Sequence, residues 1–402
     1  MTIQTSELLA LRGGPPVRGS FLPFHQPLLD SDDERAVVET LRSGWLTTGP
    51  RTKSFEQELA AYTGSKRCVA VNSCTAALHL ALEASGVGPG DEVITAPITF
   101  ASTANVIVHR GARPVFVDVE PDTLNIDAAA IEASITPRTK AVIPVDFAGH
   151  PCELDAIMSL GARRGLTVIE DAAHAIGAEY KGRRVGGLAD MTCFSFYATK
   201  NITSGEGGAL TTNHQERADR IGIMALHGIS RDAWKRYGTD GYRHWDIIAP
   251  GYKYNMFDLQ AALVRSQFQK MERFYARRLA LKWRLDAGLA DLPEIRLPAE
   301  RSWVKHAYHL YPIVVATEKL TADRDTIMNA IQGENIGIGI HFRAVHLHPY
   351  YAETFGFERG MFPNAEYFSD RTISLPLYPR MTDADADDVV AAVRKVITHY
   401  RL

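Results

Sequence analysis

Between residues 68 and 170 the chain alternates short apolar runs with segments of helical spacing, and this alternation restricts the fold more than any other feature. The apolar runs lie at 68–71, 92–95, 114–117, 141–145 and 166–170. The helical segments lie between them, at 75–84, 102–109, 127–134 and 153–163. Short strands linked by helices form a mostly parallel sheet with helices covering both faces. The expected class is therefore α/β. Sheets of this kind bind ligands beyond the carboxyl ends of their strands, so the residues that follow each strand are where chemistry is to be sought.

The flanking regions read differently. Residues 1–30 hold Gly13-Gly14-Pro15-Pro16, Pro23 and Pro27, the signature of an extended arm. Helical spacing starts near Asp32 and stops at Gly44, and a second helix spans 52–62 with Gly64 just past its end. The stretch 194–209 reads as strand, loop, strand. A helix at 215–226 and a polar, aromatic loop at 228–254 follow. One long helix is expected from Phe257 to about Leu289. Beyond it come a strand (309–315), a helix (322–332), strands at 337–341 and near 372–375, and a last helix (383–399). At 402 residues two domains are expected. The division is an arm at 1–30, a large domain at 31–255, a connecting helix at 256–289 and a smaller α+β domain at 290–402.

Charge and cysteine use exclude several classes. The net charge is −3 and the basic residues are dispersed, which gives no footprint for nucleic acid. Cys68, Cys74, Cys152 and Cys193 form no CxxC pair, so no metal site is expected and reduced thiols of a cytoplasmic protein are the default. No apolar run approaches the length of a membrane span.

Four strand ends carry the chemistry. The first run ends in Asn72-Ser73-Cys74-Thr75-Ala76, where a helix N-terminus with hydroxyl side chains suits a phosphate or is simply N-capped. It is neither a Walker loop nor a GxGxxG fingerprint, which argues against nucleotide hydrolysis and NAD chemistry. The second run leads to Phe100, which can stack on a flat heterocycle or belong to the core. The fifth ends in Asp171, with His174 after a turn. A carboxylate there can hold a pyridine nitrogen protonated, and the imidazole can reach the ring hydroxyl. Lys200, in the loop of the 194–209 stretch, can hold a carbonyl compound as a Schiff base, with Ser195 adding a hydroxyl. A lone loop lysine is more often a surface side chain. Together and in this order, the four ends describe a site for pyridoxal 5'-phosphate.

The segments NSCTAALHLAL, PITF, EDAAHAIGA, FSFYATKNITSGEGG and PGYKYNMFDLQAA resemble the DegT/DnrJ family of sugar aminotransferases. The resemblance runs from Ser43 to beyond Ser374. It implies the type I aminotransferase fold and a homodimer with shared active sites. It implies Lys200 as the cofactor lysine, Asp171 as partner of the ring nitrogen and His174 as a contact to the ring oxygen. Phe100 would stack on the ring in place of a tryptophan, and Thr75, Ala76 and Ser195 would hold the phosphate. Asn255 would reach the partner's phosphate, and His341 and Arg343 would touch the amino donor or the sugar nucleotide. The segments SGWLTTGP, ITPRTKAVIPV, APGYKYN and GIGIHFRAVH resemble the branch that aminates a UDP-4-keto-pentose with glutamate as donor. The alternatives are amination at C3 or C4 of another nucleotide-linked keto-hexose, a pyridoxal-phosphate sugar dehydratase, and a non-enzymatic cofactor-binding sensor.

Overall fold

The computed structural model describes residues 8–230 and 245–402. Its centre is a seven-stranded sheet built from β1 (Arg67–Val71), β2 (Glu92–Thr95), β3 (Arg113–Phe116), β4 (Thr139–Ile143), β5 (Thr167–Asp171), β8 (Met191–Ser195) and β9 (Gly208–Thr212), in the order β1-β9-β8-β5-β4-β2-β3. Two further short strands, β6 (Glu179–Tyr180) and β7 (Arg183–Arg184), form a separate ribbon. Strands β3, β2, β4, β5 and β8 pair in parallel, and β9 runs antiparallel to both β8 and β1. Six of the seven strands thus point the same way, as the alternation of strands and helices requires.

Before the sheet come α1 (Ser31–Ser43) and α2 (Pro50–Thr63); within it lie α3 (Cys74–Ala84), α4 (Ala101–His109), α5 (Ala128–Ile131) and α6 (Leu154–Arg164); α7 (Gln215–Met224) follows β9. Successive strand side chains point to opposite faces, and the two covering layers divide accordingly. Cys193 and Leu210 pack with Leu78, Ala81 and Ile107 on one face. Their neighbours Phe194 and Ala209 pack with Phe55, Leu59 and Val264 on the other. The α/β class expected from the sequence, a mostly parallel sheet covered on both faces, is the one found.

Two expectations are corrected. The helix expected from Phe257 to Leu289 is two helices, α8 (Asp258–Phe268) and α9 (Met271–Leu289). The break places Lys270 against the carboxylates of Asp30 and Asp33, while Gln267 bonds Leu28 O and Asp33. No glycine or proline marks the break, because tertiary ion pairing produces it. The strand expected at 337–341 does not form; only isolated bridges join Leu22 to Ile336 and Gly339 to Ser374. The arm occupies the edge this strand would have paired with: Leu22 N–H donates to Asn335 O and Gly337 N–H to Leu22 O.

The C-terminal region holds a three-stranded antiparallel sheet of β10 (Ile295–Arg296), β12 (Tyr311–Val315) and β13 (Thr372–Leu375). Between β10 and β12, β11 (Val304–Lys305) pairs instead with β6, and the N–H groups of Ala307 and His309 donate to Gly149 O and Ala148 O beyond the end of β4. Helices α10 (Arg324–Gly333), α11 (Pro349–Phe355), α12 (Pro363–Ser369) and α13 (Asp383–Tyr400) complete the chain. Leu281, Leu285 and Leu289 of α9 bury against Ile313, Ile327, Val389 and Val393. Among the described residues no helix is long and apolar enough to cross a membrane.

Candidate active site

The strand register gathers the expected residues. Val71 and Ser195 both stand opposite Gly208, on either side of β9, and Asp171 stands beside Cys193. The carboxyl ends of β1, β5 and β8 therefore share one edge of the sheet. Gly208 permits the closeness: a Cβ there would lie 2.3 Å from Ser73 C and 2.5 Å from Cys74 N. The start of α3 and the β8–β9 loop are thereby held together.

At the α3 N-terminus, Ser73 Oγ accepts the N–H of Ala76 at 3.1 Å. The first turn of a helix leaves N–H groups without intrahelical acceptors, and those of Cys74 and Thr75 have none among the described residues. Thr75 is exposed, and Ser195 is buried at the end of β8, opposite Gly208. This donor set suits a phosphate.

Asp171 is 4% exposed. Its Oδ2 accepts from Thr103 Oγ1 at 2.7 Å, and Oδ1 from the Ala173 N–H at 3.2 Å, with Cys74 Sγ 3.9 Å away. An ionised carboxylate only accepts, so Thr103 donates to Asp171 and Thr99 donates in turn to Thr103 at 2.7 Å. Burial pushes the Asp171 carboxyl above its ordinary value, and the Thr103 hydroxyl opposes that shift. A buried carboxylate is costly without a cationic partner. A protonated pyridine nitrogen supplies one, so the donor chemistry here fits pyridoxal phosphate.

Lys200 closes a turn, its N–H donating to Tyr197 O at 2.9 Å, and its amine is buried. Burial lowers it to about 8, against the opposing negative charge of Asp171. An amine that loses its proton near neutral pH can bind a carbonyl carbon. His174 is buried and held neutral by that burial and by Lys200. Its Nδ1 lies 3.2 Å from the Ala148 N–H.

Phe100 is 62% exposed at the start of α4, so it is a rim side chain and not a core one. Its ring stands 6.1 Å from Phe342, which in turn stacks on His174 at 6.0 Å. His341 Nδ1 lies 2.9 Å from Ser374 Oγ, and burial with the nearby Lys200 lowers the ring to about 4. Arg343 is exposed and donates to Leu347 O at 2.9 Å; among the described residues no contact ties it to this cluster. Asn255 bridges to Val71 at the sheet edge and donates to Thr48 Oγ1 at 2.8 Å. The 228–254 loop falls in part on residues 231–244, outside the described residues.

Sequence reasoning missed several neighbours. His25, from the arm, is lowered to about 3 by burial and then by the Arg278 charge, and it lies close enough to Lys200 to feel that charge as well. His309, expected in a strand, sits before β12: its N–H and that of Ala307 bond the turn at Ala148 and Gly149. Its ring lies tilted against His174 with centroids 4.4 Å apart, and its Nε2 is 3.5 Å from Lys200 Nζ. Thr103 lies in the first turn of α4 and bonds Thr99 in the loop before it.

Comparison with known proteins places this geometry in context. The model of the DegT/DnrJ/EryC1/StrS aminotransferase family matches residues 27–394. The chain is 50% identical over 381 residues to the spore coat polysaccharide biosynthesis protein SpsC of Bacillus subtilis, covering 94% of this chain and 98% of that one. Among solved structures, the putative sugar aminotransferase Spr1654 of Streptococcus pneumoniae in its PLP form is 34% identical, with a TM-score of 0.88 over 94% of this chain and 99% of that one. PseC of Helicobacter pylori, an aminotransferase involved in pseudoaminic acid biosynthesis, is 30% identical, with a TM-score of 0.87 over 95% and 100%.

Proposed function

The chain belongs to the DegT/DnrJ/EryC1/StrS aminotransferase family and is a pyridoxal-phosphate-dependent sugar aminotransferase, and from that premise we propose that it moves the amino group of L-glutamate to the keto carbon of a nucleotide-linked sugar. The observation that carries this reading is the meeting of the Lys200 amine, the buried Asp171 carboxylate and the α3 N-terminus at one sheet edge. Lys200 Nζ would hold pyridoxal phosphate through its carbonyl carbon, and its amine would be freed when the amino donor takes that place. The freed amine takes a proton from the donor's α-carbon and delivers it, as general base and then acid. When bound, pyridoxal phosphate supplies an electron sink for the charge left on that carbon. Asp171 keeps the ring nitrogen protonated, and His174 donates to the ring oxygen. Thr75, Ala76 and Ser195 hold the phosphate, and Phe100 covers the ring.

The first sugar to try is a UDP-4-keto-pentose, on the segments named above. Amination at C3 or C4 of another nucleotide-linked keto-hexose is the second reading, and the likeness to a polysaccharide biosynthesis protein and to an aminotransferase of pseudoaminic acid biosynthesis keeps it in the panel. His341, beside Lys200, and Arg343, on the sequence resemblance alone, would touch the amino donor or the sugar nucleotide. A homodimer with Asn255 reaching the partner's phosphate is supported by exposed apolar side chains around it. Trp45, Leu46 and Phe257 are each at least 40% exposed, and the Asp258 N–H ties their segments together through Leu46 O. The test is mass spectrometry of products from glutamate and a panel of keto-sugar nucleotides. An amino sugar carrying the glutamate nitrogen is expected. Dehydration without nitrogen transfer across the whole panel would contradict the proposal.

A further inference from the structure

Three side chains in a row, Asn201, His309 and Lys200, have their hydrogens fixed from one end. Asn201 Nδ2 lies 2.8 Å from Ala307 O. A carbonyl only accepts, so the amide nitrogen must be the atom there and Oδ1 the atom facing His309 Nδ1, at 3.2 Å. An amide oxygen also only accepts. His309 Nδ1 therefore carries a hydrogen. Burial holds this imidazole neutral, and a neutral ring has one N–H. Its Nε2 is thus a bare lone pair, and it stands 3.5 Å from Lys200 Nζ.

The neighbouring ring is fixed the other way. The Ala148 N–H can only donate, so His174 Nδ1 accepts and the hydrogen sits on Nε2. The two rings, 4.4 Å apart, carry opposite tautomers. The backbone beneath them is rigidly tied. Arg278 donates to the carbonyls of Tyr308, His309 and Leu377. Ala148 holds a left-handed φ of 58°, and a Cβ on Gly149 would stand 2.8 Å from His174 O. The titratable groups facing His309 are Lys200, His174, Arg278 and His25; those facing Lys200 are Cys74, Asp171, His25, His174, His309 and His341.

We propose that His309 is a positioning residue for Lys200: its bare Nε2 accepts a hydrogen from the free amine, and Asn201 enforces the tautomer that makes this possible. One N–H of the amine is then anchored away from the reacting carbon, and the nitrogen lone pair stays free to take up a proton. The same contact favours the ammonium form over the amine, because a charged donor makes the stronger bond. The inference rests on reading Lys200 as the cofactor lysine.

The experiment uses the full chain freed of cofactor. Competitive acetylation followed by peptide mass spectrometry gives the fraction of Lys200 present as free amine at each pH. In the wild type its midpoint is expected near 8. His309→Phe removes the acceptor and should move the midpoint down, raising Lys200 labelling at pH 7 by about threefold to tenfold. His309→Gln restores an accepting oxygen and should return the midpoint toward wild type. A midpoint unmoved in His309→Phe would mean the ring only fills space and would overturn the proposal. The wild type gives a second measurement that needs no variant to fold. Nitrogen NMR with labelled histidine must show the hydrogen of His309 on Nδ1 and that of His174 on Nε2; the reverse at His309 overturns the proposal. Borohydride trapping of the loaded protein separates the two levels. Trapping away from Lys200 brings down the functional reading and this inference with it. Trapping at Lys200 with an unmoved midpoint brings down this inference alone.

Discussion

Replacing Thr103 with valine tests how the buried carboxylate is kept ionised. The change keeps the shape of the side chain and removes one hydroxyl, which donates to Asp171 Oδ2 at 2.7 Å. Thr103 is fully buried and Asp171 is 4% exposed, so no water takes the place of the lost donor. A hydrogen bond to a charged group contributes about 1.5–3 kcal/mol. At about 1.36 kcal/mol per tenfold in rate, Thr103→Val should lower kcat/KM by roughly tenfold to a hundredfold near pH 7. The loss also has a direction in pH. Burial already raises the Asp171 carboxyl and the hydroxyl restrains that rise. Removing it raises the carboxyl further, so the ionised form is lost first on the acid side and the deficit in kcat/KM widens as pH falls. Stability moves the opposite way. A carboxyl raised in the folded state stabilises below its unfolded value and ceases to do so as pH rises. Unfolding of the cofactor-free variant should therefore show the largest loss relative to wild type at high pH and the smallest at low pH. The assays are a pH profile of kcat/KM and urea unfolding across the same range. Losses independent of pH in both would refute the role assigned to the Thr103 hydroxyl.

Other outcomes follow from the same geometry. Lys200→Ala should abolish transamination while leaving the fold intact, which steady-state assay and thermal unfolding check together. Gly208→Ala forces a Cβ to within 2.3 Å of the Ser73 backbone, and such overpacking costs about 1–3 kcal/mol; urea unfolding should show that loss together with weaker cofactor retention. Cofactor capture by Lys200 in the cofactor-free protein should quicken as pH rises through about 8, as the amine loses its proton; a rate independent of pH between 6.5 and 9 would contradict this. Glu170, fully buried, bonded to Thr192 and close to the buried Asp146 carboxyl, is pushed above its ordinary value by burial. With its folded value raised, its stabilising contribution is present below the ordinary carboxyl range and is lost as pH rises above it. Glu170→Gln should flatten the stability profile there, read by thermal unfolding.

The parts of the fold written in side-chain period were legible. The five runs from 68 to 170 became strands pointing the same way, with alternating residues such as Val93 and Ile94, or Ala141 and Val142, packed into opposite covering layers. The coarse identity of the enzyme was legible for a related reason, since each strand end carries a short stretch with its own chemistry. What was not legible depends on contacts distant in sequence. The break at Gln269 and Lys270 comes from Asp30 and Asp33, some 240 residues earlier. The missing strand at 337–341 reflects the arm around Leu22. His309 looked like the first residue of a strand, yet the turn at Ala148 and Gly149 captures its backbone and turns its ring toward Lys200. His25 lies in an arm whose prolines announce only extension.

The central claim is that Lys200 is the residue that binds the cofactor. The direct measurement is borohydride reduction of the protein loaded with pyridoxal phosphate, followed by digestion and peptide mass spectrometry. A single pyridoxyl group on the Lys200 peptide is the predicted result. A pyridoxyl group on any other lysine, or none at all, would contradict it.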